Sequence, residues 1–365
     1  MENCIRNLKI ENFKSIKNLN IEAKKINIFI GKPNVGKSNI LEAISLLGAS
    51  FEKDSIKFLS SFIRYENFYN IFFDNDLNQK VKVTADNNIA VILYNLDSKS
   101  TYNFITGENK ELINGFLDNK YNRSLSSYFD EYLDDKSIEE KRAIKKPINQ
   151  TINFNGSLES VISNEISKFR KYDFRKLTKD IDRFPSFLLP PFGINLFTIL
   201  QSNRQFHKEL APIFEEYGLK LVLKIQENQF EIQKDIDGII YSYPYSTIAD
   251  TLQRIIFYFA AIESNNKAVL IFEEPEAHSY PPYTSLLADR ITKSETNQFF
   301  ITTHSPYLLQ TIVENTPFND LNVFITYFDH YQTKVKQLSH EEMRDIQDDS
   351  IDVFFNLDRY LENEG

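Results

Sequence analysis

Gly31-Lys32-Pro33-Asn34-Val35-Gly36-Lys37-Ser38 is the stretch that decides the fold of this chain. It satisfies G-x-x-x-x-G-K-[ST] at every fixed position. The apolar run INIFI (26–30) precedes it and reads as a strand. NILEAISLLGAS follows, with Ile40, Leu41, Ile44 and Leu47 at helical spacing and Gly48 as the expected stop. A strand, a glycine loop and a helix in that order make an anion cradle. Glycines let backbone N–H groups turn inward without a Cβ clash. The helix aims its positive end at the same anion. Nucleotide contacts are expected from Gly31, Lys32, Pro33, Asn34, Val35, Gly36, Lys37, Ser38 and Asn39. Lys37 is expected to reach the terminal phosphates and the Ser38 hydroxyl to ligand Mg²⁺. A glycine turn with no ligand is the plain alternative, and the complete motif in its strand–helix context disfavours it.

The loop says nucleoside triphosphate but not which reaction. A guanine reader of the form Asn-Lys-x-Asp is missing. Its nearest match, Asn119-Lys120-Tyr121-Asn122, lacks the aspartate.

Outward from the loop, IRNLKIENFKSI (5–16) alternates like a strand, and residues 80–106 read as three antiparallel strands joined by turn residues. Residues 107–183 are rich in Glu, Asp, Lys and Asn and are expected to be mainly helical, including SLESVISNEISKFRKYDFRKLTKDI (157–181). Strands return over 220–243, and TIADTLQRIIFYFAAIES (247–264) reads as a helix with a broad apolar face. AVLIF (268–272) and QFFIT (298–302) are short continuous apolar runs, the mark of strands buried on both faces. Helices are expected over 282–293 and from Ser305 onward. A strand pair and a helical tail close the chain. Strands alternating with helices imply an α/β fold with a mixed or largely parallel central sheet. An antiparallel β lobe and a helical insertion accompany it. The expected divisions are 1–104, 105–183 and 184–365.

Composition narrows the class. The 365 residues are 42% hydrophobic and 25% charged, which excludes disordered and collagen-like chains. Lys plus Arg is 42 against 51 Asp plus Glu, a net charge of −9 that argues against a general nucleic-acid coat. One cysteine, Cys4, excludes a disulfide framework and fits a reducing, cytoplasmic setting. The uncharged stretch FPSFLLPPFGINLFTILQSN (184–203) is long enough to span a bilayer. Pro185, Pro190, Pro191 and Gly193 break any helix there, so it reads as a buried loop entering a short helix, with no membrane association.

Two further motifs carry chemistry. Glu273-Glu274-Pro275-Glu276-Ala277-His278 follows the buried run ending at Phe272. Paired carboxylates at a strand end are costly unless a cation or polar site meets them. Glu273 is expected to hold Mg²⁺ and Glu274 to polarise the attacking water. His304 follows the run 298–302, at the carboxyl edge of the sheet where ligands of open α/β sheets bind. Its expected partner is the γ-phosphate or the attacking water. His278 is expected to serve the loop after Glu274.

Together these segments resemble the ABC-type AAA ATPase heads of the SMC, RecF and OLD (overcoming lysogenization defect) group. The resemblance rests on Leu8–Ile16 as the opening strand, Gly36-Lys37-Ser38-Asn39 with Leu41-Glu42-Ala43-Ile44, Ile271–His278 as the acidic motif, and Thr302-Thr303-His304-Ser305-Pro306 as the switch-histidine motif. It spans roughly residues 1–104 and 184–330. It implies ATP and Mg²⁺ as ligands, slow ATP hydrolysis with Glu274 as catalytic base and His304 as switch, and two heads sandwiching two nucleotides. Each composite site would take the phosphate loop of one head and the signature motif of the other.

The chain departs from that pattern in places. Glu273 stands where Asp is usual. The signature region, Tyr245–Arg254, has no glycine; Ser246 or Thr247 is expected to cap the helix and face the partner's γ-phosphate. No Gln occurs over Arg64–Asn70, where Asn70 or Glu66 is the expected substitute for the glutamine loop. The Toprim nuclease domain of OLD proteins has no counterpart after His304, so the chain reads as an ATPase whose effector is separate, a nuclease or toxin from the same operon acting in anti-phage defence. Asp348, Asp349 and Asp352 read as a solvated acidic turn. A second reading is a DNA-binding repair or recombination ATPase like RecF. Its nucleic-acid reader would be the basic stripe Lys168, Arg170, Lys171, Arg175, Lys176 and Lys179 with interleaved aromatics, whose plainer reading is a solvated helix face.

Overall fold

In the computed structural model, residues 4–51, 56–95, 100–118, 124–159, 166–176, 186–348 and 353–361 are described below. The centre is a six-stranded sheet built from strands far apart in the chain. Its members are β3 (Ile26–Ile30), β8 (Phe169–Tyr172), β12 (Val269–Glu273), β13 (Gln298–Thr302), β14 (Leu321–Asp329) and β15 (Gln332–Gln337). Their order is β15-β14-β3-β13-β12-β8. All neighbours are parallel except the β14–β15 hairpin at one edge.

The apolar runs of β3, β12 and β13 are buried on both faces, which is why they show no alternation. Ile26, Ile28, Leu270, Phe272, Phe299 and Ile301 point into one core, while Phe29, Val269, Ile271 and Phe300 point into another. Each such side chain contributes about 1.5–3 kcal/mol when fully buried.

One face is covered by α5 (Leu196–Ser202), α6 (Arg204–Glu215), α7 (Asp250–Ser264), α8 (Pro281–Lys293), α9 (Pro306–Asn315) and α10 (His340–Asp348). The uncharged stretch that includes α5 is packed into this core as expected, through Leu188, Leu196, Ile199 and Leu200. No helix among the described residues is long and apolar enough to cross a membrane.

The other face carries α1 (Lys37–Ser45) and an antiparallel sheet. That sheet is β1 (Asn7–Phe13), β2 (Ile16–Glu22), β4 (Val81–Ala85), β5 (Asn88–Asn95), β6 (Thr101–Gly107) and β7 (Ile148–Ile152), in the order β2-β1-β4-β5-β6-β7. Three short helices, α2 (Lys110–Asp118), α3 (Leu125–Asp134) and α4 (Ile138–Ala143), lie between β6 and β7. A third sheet of β9 (Leu219–Lys224), β10 (Gln229–Ile236) and β11 (Ile239–Pro244) is antiparallel and mostly exposed. A last short helix, α11 (Leu357–Leu361), ends the described chain.

Three local expectations need correcting. Helix α1 ends at Ser45, and a 3₁₀ segment, Leu46–Phe51, runs through Gly48. Gly48 is therefore no helix stop; a Cβ there would lie 2.0 Å from the Phe169 carbonyl oxygen, so glycine allows the close approach of β8. Strand β2 extends the opening strand into a hairpin that sequence periodicity did not separate. Within 157–181, expected as helix, Phe169–Tyr172 is the edge strand β8, paired with β12. Residues 160–165 and 177–181 of that stretch, with Lys179, lie outside the described residues, as do Asp349 and Asp352.

Candidate functional site

The carboxyl ends of β3, β13 and β12 lie level, with Thr302 opposite Phe29 on one side and Glu273 on the other. Each strand then enters a loop bearing a chemical group: Gly31–Gly36 after β3, Glu274–His278 after β12, Thr303-His304 after β13. The glycine loop, more than two hundred residues before the other two motifs in sequence, thus shares one sheet edge with them.

The glycine loop is held from beneath by the β14–β15 hairpin. Gly31 (φ 148°) leaves no room for a Cβ, which would sit 2.2 Å from the Thr326 carbonyl oxygen. Gly36 caps α1 at φ 94°, and a Cβ there would lie 2.0 Å from Thr333 Oγ1. Thr333 donates to the Val35 carbonyl at 2.9 Å, and its Oγ1 meets Ser15 Oγ at 2.6 Å. Asn34 adopts φ 62°, a left-handed turn that asparagine tolerates. Pro33 and Val35 shape the loop and expose no polar side-chain atom. Lys32 turns to solvent and pairs with Asp358 of α11 at 2.8 Å, an exposed contact of the kind worth about 0–1 kcal/mol. The Asn39 amide donates to Ser15 Oγ at 2.7 Å, so its side chain braces β1's turn against α1.

Lys37 folds back over the loop. Its Nζ donates to the carbonyls of Gly31 at 3.0 Å and Lys32 at 2.8 Å. Burial pulls its pKa below the usual lysine value, and the nearby Glu274 opposes that fall. The Ser38 hydroxyl lies close enough to Glu273 to help lower its pKa. Glu273 also meets Arg64 Nη2 at 2.9 Å and Lys171 Nζ at 3.7 Å. Burial alone would raise the Glu273 pKa; Lys171, Ser38 and Arg64 outweigh it and hold the carboxyl below its usual range. A hydroxyl and an ionised carboxylate side by side are hard oxygen donors of the kind Mg²⁺ takes. Among the described residues no cluster of three or more His, Cys, Asp and Glu forms a cage of its own.

Glu274 has φ 42°, with its amide bonded to the Thr302 carbonyl at 3.0 Å. Its Oε1 lies 3.5 Å from His304 Nε2, and both side chains are partly exposed. Burial lowers the His304 pKa, Lys37 lowers it further, and Glu274 opposes. The shift favours the neutral imidazole, which accepts at one nitrogen and donates at the other.

Sequence reasoning gave no role to Glu276. It is buried, and its Oε1 accepts from Thr303 Oγ1 at 2.6 Å and from the His304 amide at 3.1 Å. Burial pushes its carboxyl up, against those bonds. It ties the acidic loop to the histidine loop. A signal was available: a third carboxylate inside the same motif. Arg64 was also missed. Neither expected glutamine-loop substitute fills that role: Asn70 accepts from the Asn67 amide at 2.8 Å, Glu66 is exposed, and Arg64 reaches Glu273 instead.

The signature residues differ from expectation. Ser246 and Thr247 lie in a 3₁₀ turn, Tyr245–Thr247, and Thr247 donates to the Pro244 carbonyl at 2.6 Å. Helix α7 starts at Asp250 with Ala249 at its cap and no side-chain cap bond, so neither residue caps it. Both are exposed. His278 keeps the loop role: at φ 60°, its carbonyl accepts from Thr251 of α7 at 2.8 Å.

Within the basic stripe, Lys171 is buried and Arg170 half-buried, while Arg175 and Lys176 are exposed. Lys171 donates to the Phe62 carbonyl at 2.9 Å as well as facing Glu273. Arg170 stacks 3.5 Å from the Phe187 ring, Arg175 3.8 Å from the Phe192 ring, and Lys176 pairs with Asp250 at 2.6 Å. The first half of the stripe is a strand and not the expected helix face.

Residues 26–310 match a family model described as "AAA domain, putative AbiEii toxin, Type IV TA system", AAA_21. The chain belongs to the AAA_21 family. This AAA_21 chain is also similar to a Helicobacter pylori (strain ATCC 700392 / 26695) protein named "ATP/GTP phosphatase", with 24% identity over 338 residues, covering 84% of this chain and 87% of the relative. Among solved structures it is similar to an Smc head bound to the C-winged helix domain of ScpA, at TM-score 0.48 and 15% identity, covering 93% and 99% of the two chains. The Thermotoga maritima SMC head gives TM-score 0.39 and 13% identity, covering 92% and 99%. The assignment rests on the family match and the site, not on these heads. The chain is a P-loop ATPase of the AAA class.

Proposed function

We propose that this ATPase is a nucleotide-gated head that closes on ATP and Mg²⁺ with a second copy of itself and thereby regulates a separate effector. The observation that carries the reading is the meeting of Ser38 with Glu273, and of Glu274 with His304, beside Lys37.

The chain's own residues perform the following steps. Lys37 leaves the carbonyls of Gly31 and Lys32 and donates to the terminal phosphates. The amides of Gly31 to Asn39 line the cradle at the start of α1. Ser38 and Glu273 would hold Mg²⁺, which when bound neutralises charge on the transferred phosphoryl group. Glu274 accepts a proton from the attacking water. Neutral His304 bonds the γ-phosphate or that water, and Glu276 fixes the loop from which it projects.

A second copy is supported by the exposure of Ser246 and Thr247 beside the start of α7, where they offer polar groups to another head's nucleotide. The family description, which names a type IV toxin–antitoxin system, supports work in a system of more than one component, the second being the effector proposed here. Cys4 as the sole cysteine fits the reducing cytoplasm.

Glu274→Gln tests the reading. Nucleotide binding is retained, phosphate release falls about 100-fold or more, and light scattering with ATP and Mg²⁺ shows twice the single-chain mass. Hydrolysis at the wild-type rate puts the base elsewhere; an unchanged mass refutes closure with a second copy.

A further inference from the structure

The carboxylate expected to hold a metal already has an organic cation on it. Arg64 Nη2 sits 2.9 Å from Glu273 Oε1, and Lys171 Nζ lies 3.7 Å from the other oxygen. The two cations are held very differently. Lys171 is buried in β8 and tied to the Phe62 carbonyl. Arg64 comes from a loop, and 66% of its side chain is exposed.

Arg64 is nonetheless anchored at its near end. Its Nε donates to Glu42 Oε1 at 2.7 Å, and its amide lies 3.4 Å from the same oxygen. Its carbonyl accepts from Lys14 Nζ at 2.6 Å, and Lys14 pairs with the second oxygen of Glu42. Glu42 is fully buried and stays compensated by Lys14 whatever the far end of Arg64 does. The guanidinium is thus pinned at Nε and free to exchange partners at Nη2.

Glu273 meanwhile accepts from Arg64, faces Lys171 Nζ at 3.7 Å and has the Ser38 hydroxyl nearby. An oxygen engaged by a guanidinium has to release it before ligating a small divalent cation, because Mg²⁺ demands close oxygen contacts in near-octahedral geometry.

We infer that Arg64 is a tethered counter-ion that occupies Glu273 until Mg²⁺ arrives and is displaced from it as the metal enters. Arg64 is then a positioning residue that sets how much Mg²⁺ the head needs before it holds nucleotide in its working geometry. The inference rests on the proposed metal role of Glu273 and Ser38.

The test measures binding of a fluorescent, non-hydrolysable ATP analogue to the full chain while Mg²⁺ is titrated, for wild type and Arg64→Gln. Removing the competitor lowers the Mg²⁺ concentration for half-maximal binding by about two- to fivefold, the scale of a part-exposed ion pair. In the absence of Mg²⁺ the two proteins bind the analogue alike. Should Arg64→Gln not fold, Arg64→Lys serves: a single ammonium does not span Glu42 and Glu273, so the same lowered Mg²⁺ requirement is expected. An unchanged or raised requirement in the folded variant overturns the inference. Wild type whose analogue binding ignores Mg²⁺ altogether refutes instead the metal role on which it rests.

Discussion

The phosphate-loop edge and the signature edge of this ATPase are finished to different degrees. At the first, the chain satisfies itself: Thr333 and Ser15 support Gly36, Lys37 binds loop carbonyls, and Glu276 pins the His304 backbone. At the second, Ser246 and Thr247 are exposed, α7 begins with no side-chain cap, and every residue of β11 is exposed. Ile239, Ile240, Tyr241 and Tyr243 stand among the exposed large apolar residues there. The difference teaches that the loop edge meets its polar groups within the chain, whereas the turn before α7 leaves Ser246 and Thr247 uncovered. A closed site tolerates little change, because every atom has a neighbour. An open one tolerates substitution until a second molecule covers it.

The largest expected effect lies at the closed edge. Lys37→Ala removes the cation aimed at the terminal phosphates, and ATP affinity falls about 100-fold or more, as for a buried charge-assisted contact. Equilibrium binding of a fluorescent nucleotide measures it; unchanged affinity would refute the loop assignment.

Ser246→Arg sharpens the comparison from the open side. A long cation at an exposed turn leaves the single chain's nucleotide affinity unchanged but blocks closure on a second copy. Light scattering with ATP and Mg²⁺ then gives the single-chain mass. If doubling of mass persists, the two edges do not meet and the signature lies elsewhere.

The smallest effect concerns Glu276. Glu276→Ala deletes the acceptor for Thr303 and for the His304 amide, and kcat falls about tenfold with ATP affinity kept, two hydrogen bonds being at stake. Glu276→Gln keeps an acceptor oxygen and restores most of the rate. Equal loss in both variants would show that charge, not loop placement, is what Glu276 supplies.

Much of the fold was legible because it is local. β12, β13 and α7 to α9 each announce themselves by continuous apolar runs or helical spacing. Strand β8 was not, since Arg170 and Lys171 break its apolar run and suggest a polar helix face. Lys171 is tolerated in an edge strand because Glu273, one strand away, supplies its counter-charge. The caps expected of Ser246 and Thr247 failed for a related reason: the 3₁₀ turn and the exposed sheet before α7 shift the helix start to Asp250.

The amino-acid sequence by itself determined the chemistry of the loop: two glycines where no Cβ fits, a lysine and a serine at the start of a helix, and paired carboxylates after a buried strand. Only the tertiary structure decided which cation stands on Glu273. Arg64 lies 209 residues from that carboxylate in sequence, and no periodicity links them. The pairing follows from sheet order, which sets β12 between β13 and β8 and leaves the acidic strand end facing the loop that Glu42 and Lys14 anchor. Side-chain type fixes what a residue can bind, and long-range packing selects the partner that is there to be bound.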